Sequence, residues 1–191
     1  MAIPKSVAAL AVIVALLGSG CTQPDPNAAP TYTCTPSDGS TPAPCYKAEH
    51  DQQVKEDALY AEAEAVYRKY IAEEERINRI GGIEDPTKVL LDTTTGSYLA
   101  SAMKAYRALK AAKATASGGK FDLAWVRRTP SDVRDGSIAT LSVCLDTSSV
   151  SMGSKGNEPQ PGRITQRTAY FVRIGDTLKI AHGKYLWVAE C

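Results

Sequence analysis

The chain has 191 residues and is close to electrically neutral, with 22 lysines and arginines against 21 aspartates and glutamates. This balance excludes an electrostatic basis for binding nucleic acid or an anionic lipid surface. The chain has five cysteines and two histidines but no Cys-x-x-Cys spacing, which argues against a zinc site. We expect no cofactor.

The N-terminus has the layout of a secretory signal. Lys5 is followed by an apolar run at 7–17 and by the small residues 18–20. A positive residue, a short apolar region and a small-residue cleavage site are the parts of a signal peptide. A membrane span would need about 20 apolar residues. We therefore expect residues 1–20 to be a signal peptide and the rest of the chain to be exported.

Cys21 comes directly after these small residues. This arrangement resembles a bacterial lipobox, in which the cysteine is acylated, for example with palmitate, and becomes the new N-terminus. The usual aliphatic residue three places before the cysteine is Gly18 here, with Leu17 one place further away. The prediction is a lipid on Cys21 that holds the protein at the extracytoplasmic face of the cell membrane. The alternative is a secreted protein in which Cys21 is a spare thiol.

Lipidation of Cys21 would leave four cysteines in an oxidising compartment, and four cysteines allow three pairings. Cys34 and Cys45 flank a turn-rich loop that could close on itself. By elimination, Cys144 would pair with Cys191, the last residue. Two disulfides are therefore predicted.

Residues 21–47 are rich in proline, threonine and serine and contain few large apolar side chains. Such a segment cannot bury enough apolar surface to offset its ordering entropy. We expect a disordered tether at 21–47 and one domain at 48–191, a length within the usual range for a domain.

Residues 48–80 have helical periodicity and are predicted as one long helix. Its apolar stripe is predicted to contain Val54, Ala58, Ala61, Ala65, Tyr67, Tyr70, Ile71, Ile77 and Ile80. The acidic run 73–75 lies largely off this stripe and is predicted to face solvent. Gly81 and Gly82 end the helix.

Two shorter helices are predicted next. Asp85 and Pro86 are a typical cap and first helical residue, and they open a helix through Leu91. A third helix begins at about Ser97, fades in an Ala/Lys tract and stops at 117–119.

From Lys120 the apolar period changes from helical to two. Strands are predicted at about 120–126, 137–146, 163–174 and 177–190, and residues 148–162 are predicted as a loop. Helices followed by antiparallel strands indicate an α+β fold. We expect N-terminal helices packed on a curved antiparallel sheet of about four strands.

Four stretches are similar to those of a known family. They are Ala-Glu-Ala-Val-Tyr-Arg-Lys-Tyr at 63–70, Val-Leu-Leu-Asp-Thr-Thr-Thr-Gly at 89–96, Ala-Thr-Leu-Ser-Val-Cys-Leu-Asp at 139–146 and Tyr-Leu-Trp-Val at 185–188. On these stretches residues 48–191 resemble the NTF2-like (cone-shaped α+β) domains of actinobacterial lipoproteins and of proteins from their phages. The resemblance implies a pocket between sheet and helices.

In enzymatic relatives such as ketosteroid isomerase and scytalone dehydratase, that pocket holds aspartate, histidine and tyrosine. In this chain the candidates of those residue types are Asp122, Asp146, Tyr98, Tyr106, Tyr170 and His182.

Their sequence context argues against catalysis. Alternation places Asp122 toward solvent, and Asp146 ends a strand, where it is predicted to cap a turn. His182 precedes Gly183 in a pattern typical of a bulge or edge, and His50 lies at the tether junction. The chain has no motif of a serine hydrolase, phosphate loop or zinc protease. We predict no catalytic residue.

Two further groups of residues could contact a ligand or partner. The aromatic group is predicted as core, with a ligand pocket as the alternative: Trp125, Tyr170, Phe171, Tyr185 and Trp187. The basic group is predicted as solvated charge, with a partner-binding patch as the alternative: Lys104, Lys110, Lys113, Arg127 and Arg128.

The sequence therefore predicts a membrane-anchored, non-catalytic binding or accessory module that contacts an envelope protein. One alternative is a prophage-encoded lipoprotein that blocks superinfection by protein contact. The other is an NTF2-like pocket enzyme of isomerase or dehydratase type. No sequence motif identifies a ligand.

Overall fold

The structure is a computed structural model that describes residues 31–36, 40–134, 136–154 and 156–191. The predicted signal peptide at 1–20 and the predicted lipidation site Cys21 lie outside these ranges. Within them, no helix is both long enough and apolar enough to cross a membrane. The elements in chain order are β1 (Tyr32–Cys34), β2 (Ala43–Cys45), α1 (Lys47–Arg79), α2 (Lys88–Thr93), α3 (Gly96–Ala111), β3 (Ala114–Gly118), β4 (Asp122–Arg128), β5 (Ala139–Asp146), β6 (Val150–Ser154), β7 (Gln160–Pro161), β8 (Ile164–Ile174) and β9 (Thr177–Trp187).

The central sheet is antiparallel, with strand order β4-β5-β8-β9. Its inner face packs against the helices, and alternate residues of β5 from Ala139 to Leu145 contribute to this buried layer. The core between sheet and helices includes Tyr67, Ile77, Leu90, Met103, Leu141, Val143, Leu145, Phe171, Leu178 and Ile180. The predicted α+β class is confirmed.

The outer face of the sheet is covered at β5 by the C-terminal segment. A disulfide joins Cys144 on β5 to Cys191, and the Trp125 indole N–H donates to the Cys191 carbonyl oxygen at 2.9 Å. Because β8 lies between β9 and β5, the segment after Trp187 must cross β8 to reach Cys144. The chain end is thereby held against the outer face.

Helix α1 buries the predicted stripe only in its second half, where Tyr67, Tyr70, Ile71 and Ile77 are buried as predicted. Val54 is 53% exposed, and Ala58, Ala61 and Ala65 are exposed as well. The buried positions are Tyr60, Ala63, Tyr67, Tyr70, Ile71, Glu73 and Ile77. Tyrosine rings bury far more apolar area than alanine methyl groups, so the tyrosines determine which face of α1 turns inward.

The structure contains a second sheet that the sequence pattern does not predict. Its strand order is β3-β6-β7, with Ala114–Gly118 paired antiparallel to Val150–Ser154. The Ala/Lys tract and the predicted loop at 148–162 therefore contain strands. β3 reads Ala-Thr-Ala-Ser-Gly, which has no alternation of large apolar residues, so its backbone pairing leaves no pattern in the sequence.

The segment predicted as a disordered tether at 21–47 is folded where the structure describes it. Strands β1 and β2 form a hairpin closed by the Cys34–Cys45 disulfide. The Thr35 backbone N–H donates to Gln53 on α1 at 3.0 Å, and the Tyr32 ring lies 4.8 Å from that of His50. A covalent closure and contacts with α1 replace the apolar core that this polar segment lacks.

The connection between α1 and α3 depends on two local features. Gly82 has φ of 88°, and a Cβ there would lie 2.2 Å from the Tyr106 carbonyl oxygen, so glycine permits the close approach. The cap of α2 is Thr87 rather than Asp85, because the Thr87 hydroxyl accepts from the Leu90 N–H at 3.2 Å. The short helix thus begins later than predicted.

Candidate functional site

A cavity of about 460 Å³ opens between the inner face of the sheet and helices α1 and α3. Helix α1 contributes Tyr67, Tyr70 and Glu74, and α3 contributes Tyr98. The opposite wall comes from β8 and from the last residues of β9. We take this cavity and its mouth as the candidate site.

Tyrosine rings form the helical wall of the cavity. The ring centroid of Tyr70 lies 5.3 Å from that of Tyr98, edge to face, and 6.1 Å from that of Tyr67. The Tyr70 hydroxyl lies 3.4 Å from that of Tyr106. Burial raises the pKa of Tyr70 and of Tyr98 well above the usual value of a tyrosine. Both hydroxyls are therefore neutral at physiological pH.

The cavity also contains an ion pair. Arg167 Nη1 on β8 lies 2.8 Å from Glu74 Oε2 on α1, and the side chains are 20% and 14% exposed. Arg167 Nε donates to Thr165 Oγ1 at 3.2 Å. Burial lowers the pKa of Arg167, but Glu74 and the neighbouring tyrosines raise it well above the usual value for arginine. The two charges therefore cancel locally.

The acidic run 73–75 is consequently not the solvated face that the sequence predicted. Glu73 is 7% exposed and accepts two hydrogen bonds of 2.8 Å from Arg76, while Glu74 pairs with Arg167. The spacing of residues along the apolar stripe of α1 indicates that Glu74 faces inward. Tyr67, Tyr70 and Glu74 are spaced by three and four and so share one helix face.

The Tyr67 hydroxyl is a buried polar group of the site without a hydrogen-bond partner among the described residues. Tyr67 is fully buried, and its oxygen makes no hydrogen bond to the described residues. Burial raises the pKa of Tyr67, and the nearby Arg167 lowers it by less. A buried hydroxyl without a partner costs about 1–3 kcal/mol. This O–H can donate to a group that enters the cavity.

Exposed aromatic residues surround the mouth of the cavity. Tyr185 and Trp187 on β9 are 70% and 63% exposed, and Leu186 between them is 55% exposed. The Arg163 guanidinium lies 3.8 Å from the Trp187 ring centroid and supports that ring. Tyr185 and Trp187 form what we call the β9 patch, whereas the side chain of Leu186 lies on the opposite face of the sheet.

The prediction that the aromatic residues are core is wrong for the β9 patch. Tyr170 and Phe171 are buried, at 4% and 0% exposure, as predicted. Tyr185 and Trp187 are not, because β9 is the last strand of its sheet in the described part of the chain and its end is left exposed there.

Gly183 permits the close contact between α3 and β9. A Cβ at this position would lie 2.5 Å from Cε2 of Tyr98. The neighbouring His182 sits opposite Tyr170 at a register shift between β8 and β9, and its Nδ1 lies 2.9 Å from Ser97 Oγ. His182 is thus at a bulge, and it does not line the cavity.

Of the six candidates suggested by the family resemblance, Tyr98 alone lines the cavity. Asp146 Oδ1 accepts from the Ser148 N–H at 2.8 Å, as a turn cap does, and hydrogen bonds from Ser148 lower the pKa of Asp146. Asp122 is exposed and lies 3.0 Å from Lys120.

The two remaining tyrosine candidates also lie elsewhere. Tyr106 is buried in the core beside Tyr70. The Tyr170 hydroxyl donates to Asp132 Oδ1 at 2.9 Å, and Lys184 Nζ lies 2.9 Å from the other oxygen of Asp132.

All five residues of the basic group are exposed, and three of them contact neighbouring side chains. Arg128 forms an ion pair with Asp57 on α1, and the Arg127 guanidinium lies 4.4 Å from the Trp125 ring centroid. Lys110 lies 3.4 Å from Glu84, whereas Lys104 and Lys113 are exposed. Within the described ranges no three His, Cys, Asp or Glu residues form a metal site.

Comparisons with known proteins add little to this site. No family model matches the chain, and no curated protein matches it. A solved structure, the intermembrane space region of the chloroplast protein ARC6, is similar with a TM-score of 0.45 and 12% identity. The match covers 66% of this chain and 95% of that one. A similarity this low carries no argument about function.

Proposed function

We propose that this protein is a lipid-anchored, extracytoplasmic binding module with an NTF2-like fold. Its cavity mouth would contact an envelope protein without catalysing a reaction. The observation that carries the proposal is the pair of exposed aromatic residues, Tyr185 and Trp187, beside an open cavity. Aromatic residues are enriched where proteins bind partners, and contiguous apolar patches on a soluble protein often mark such sites.

Two features of the chain support the proposed extracytoplasmic location. Residues 1–20 have the layout of a signal peptide, followed by Cys21. The disulfides Cys34–Cys45 and Cys144–Cys191 favour an oxidising compartment.

The NTF2-like assignment is supported by helices on the inner face of a four-stranded antiparallel sheet. Register shifts at Leu123/Trp125 and Tyr170/Phe171 indicate β-bulges, which bend strands. A bent sheet with helices on one face leaves a cavity at the open end. The cavity described above has this position.

The groups that line the cavity favour binding over catalysis. A general base must accept a proton near neutral pH. Burial keeps Tyr70 and Tyr98 protonated, and the Glu74 carboxylate is already paired with Arg167. The cavity therefore offers hydrogen-bond donors and aromatic surface.

Site-specific photo-crosslinking in cells that make the protein tests this function. A benzophenone amino acid would replace Tyr185 in one variant and Ile174, which is 53% exposed, in the control. Ile174 lies in the β8–β9 hairpin, at the opposite end of β9 from Tyr185. We expect a discrete envelope-protein adduct from position 185 only. No adduct at 185, or the same adducts at both positions, would contradict the proposal.

A further inference from the structure

β9 has a free edge beside the cavity. Among the residues that the structure describes, it is the last strand of the central sheet, so one of its edges has no neighbouring strand there. The Val188 N–H donates to the Ile164 carbonyl of β8 at 3.2 Å. Backbone groups of an antiparallel strand alternate in direction. Those of Gly183, Tyr185 and Trp187 therefore point away from β8.

Only the first half of this edge is covered. The Thr95 N–H donates to the Ile180 carbonyl at 2.9 Å, and the Ser97 hydroxyl donates to the Ala181 carbonyl at 3.3 Å. In the described part of the chain, no hydrogen bond reaches the outward backbone groups at 183–187. The uncovered stretch could pair with a strand of about five residues.

The stretch 183–187 has little of the usual protection of an edge strand, because it contains no proline and its lysine is engaged elsewhere. Proteins block free edges with proline, bulges or outward lysines. The bulge of β9 lies at His182, before the free stretch, and Lys184 is drawn to Asp132 on the outer face at 2.9 Å. The free stretch instead carries Tyr185 and Trp187.

The cavity lies where side chains of an added strand would point. Residues opposite each other in neighbouring strands place their side chains on the same face. A residue paired with Tyr185 would therefore direct its side chain to the inner face, where the cavity opens. An uncharged side chain suits this cavity, because Glu74 and Arg167 cancel each other. An oxygen at its tip could accept from the Tyr67 hydroxyl.

We infer that the partner binds as an extended peptide strand on the outer edge of β9 at 183–187, with one tyrosine or glutamine side chain in the cavity. This inference rests on the proposed binding function and specifies its mode, β-strand addition. The free edge and the β9 patch extend beyond the cavity, which favours a peptide over a small molecule that would fill the cavity alone.

The probe is a displayed library of random twelve-residue peptides, screened against detergent-solubilised protein made from the full chain. We expect the selected peptides to alternate apolar and polar residues and to share one tyrosine or glutamine position. Retention of no peptide, or of peptides without a shared pattern, contradicts the inference.

Two variants separate backbone pairing from side-chain contact. Tyr185→Ala removes the ring, whereas Tyr185→Pro also removes the outward N–H and leaves the hydrogen bonds to β8 intact. Affinity for a selected peptide should be at least about fivefold lower in Tyr185→Pro than in Tyr185→Ala, since the missing N–H removes one hydrogen bond of about 1 kcal/mol. Equal affinities overturn strand pairing.

Amide hydrogen exchange on the unaltered protein gives an answer that does not depend on how a variant folds. A selected peptide should slow exchange at Tyr185 and Trp187 but leave Leu186, whose N–H already faces β8, unchanged. Uniform slowing of amide exchange across 183–187 contradicts the inference. A concentration-dependent dimer that Tyr185→Pro abolishes also contradicts it. If these tests fail while the crosslink at position 185 persists, binding stands and its strand mode is wrong.

Discussion

Glu74 and Arg167 connect helix α1 to strand β8 through an ion pair of 2.8 Å, with side chains 14% and 20% exposed. Two charges this far from water are stable only because they are paired. Removal of one partner from a buried pair costs about 3–5 kcal/mol, mostly because the other charge is left without a partner. Partial solvent access reduces that cost here.

Glu74→Gln should therefore lower the free energy of unfolding by about 2–3 kcal/mol. The matched control is Glu62→Gln, which breaks the Glu62–Arg173 pair of 2.7 Å with side chains 39% and 38% exposed. That change should cost no more than about 1 kcal/mol. Urea unfolding with the disulfides intact measures both, and equal losses would show that Glu74 is not effectively buried.

Stability should fall in alkali. The raised pKa of Tyr70 and Tyr98 means that the folded protein holds their protons above about pH 10, where unfolded tyrosines lose theirs. The stabilisation is thus complete below pH 10 and is lost as pH rises, by about 1.4 kcal/mol per pH unit for each tyrosine.

The measurement is urea unfolding at several pH values from about 9 to 11. Tyr70→Phe should give a shallower decline than the parent, and Tyr185→Phe, which removes an exposed hydroxyl, serves as the control. Absorbance near 295 nm should show the buried tyrosines ionising together with unfolding. Ionisation of all tyrosines at the ordinary pH in the folded state would contradict this expectation.

Cys191→Ser should destabilise the protein only under oxidising conditions. The Cys144–Cys191 disulfide spans a sequence separation of 47, and closing a loop of this size stabilises by about 2–4 kcal/mol. Cys144→Ser should have a similar effect, and reduced parent protein should match both variants. Peptide mass mapping that finds free thiols, or Cys191 joined to Cys34 or Cys45, would refute the pairing.

Cys21→Ala should separate export from membrane attachment. If Cys21 carries the lipid, the variant is still exported but moves from the detergent phase to the aqueous phase in phase partitioning. Labelled palmitate should enter the parent and not the variant. Equal partitioning of the two proteins with membranes would rule out a lipid on Cys21.

The α+β class and the long first helix could be predicted because they depend on local pattern. Helical spacing runs through α1, and alternation runs through β5, β8 and β9. The cysteine pairs followed from position, since the loop between Cys34 and Cys45 is short and Cys144 and Cys191 remained. These features depend on residues near one another in the chain or on elimination among few candidates.

The sequence by itself thus predicted the α+β class and the order of α1, α2, α3, β4, β5, β8 and β9. It also favoured the two disulfide pairs that the structure contains, and the location at the cell envelope stays a prediction. Only the tertiary structure decided that Glu74 faces inward in an ion pair, because its partner Arg167 comes from β8, far away in the sequence. It also decided that Tyr185 and Trp187 are exposed, because β9 is an edge strand within the described ranges. Burial depends on what packs opposite a residue, and local periodicity contains no information about that neighbour.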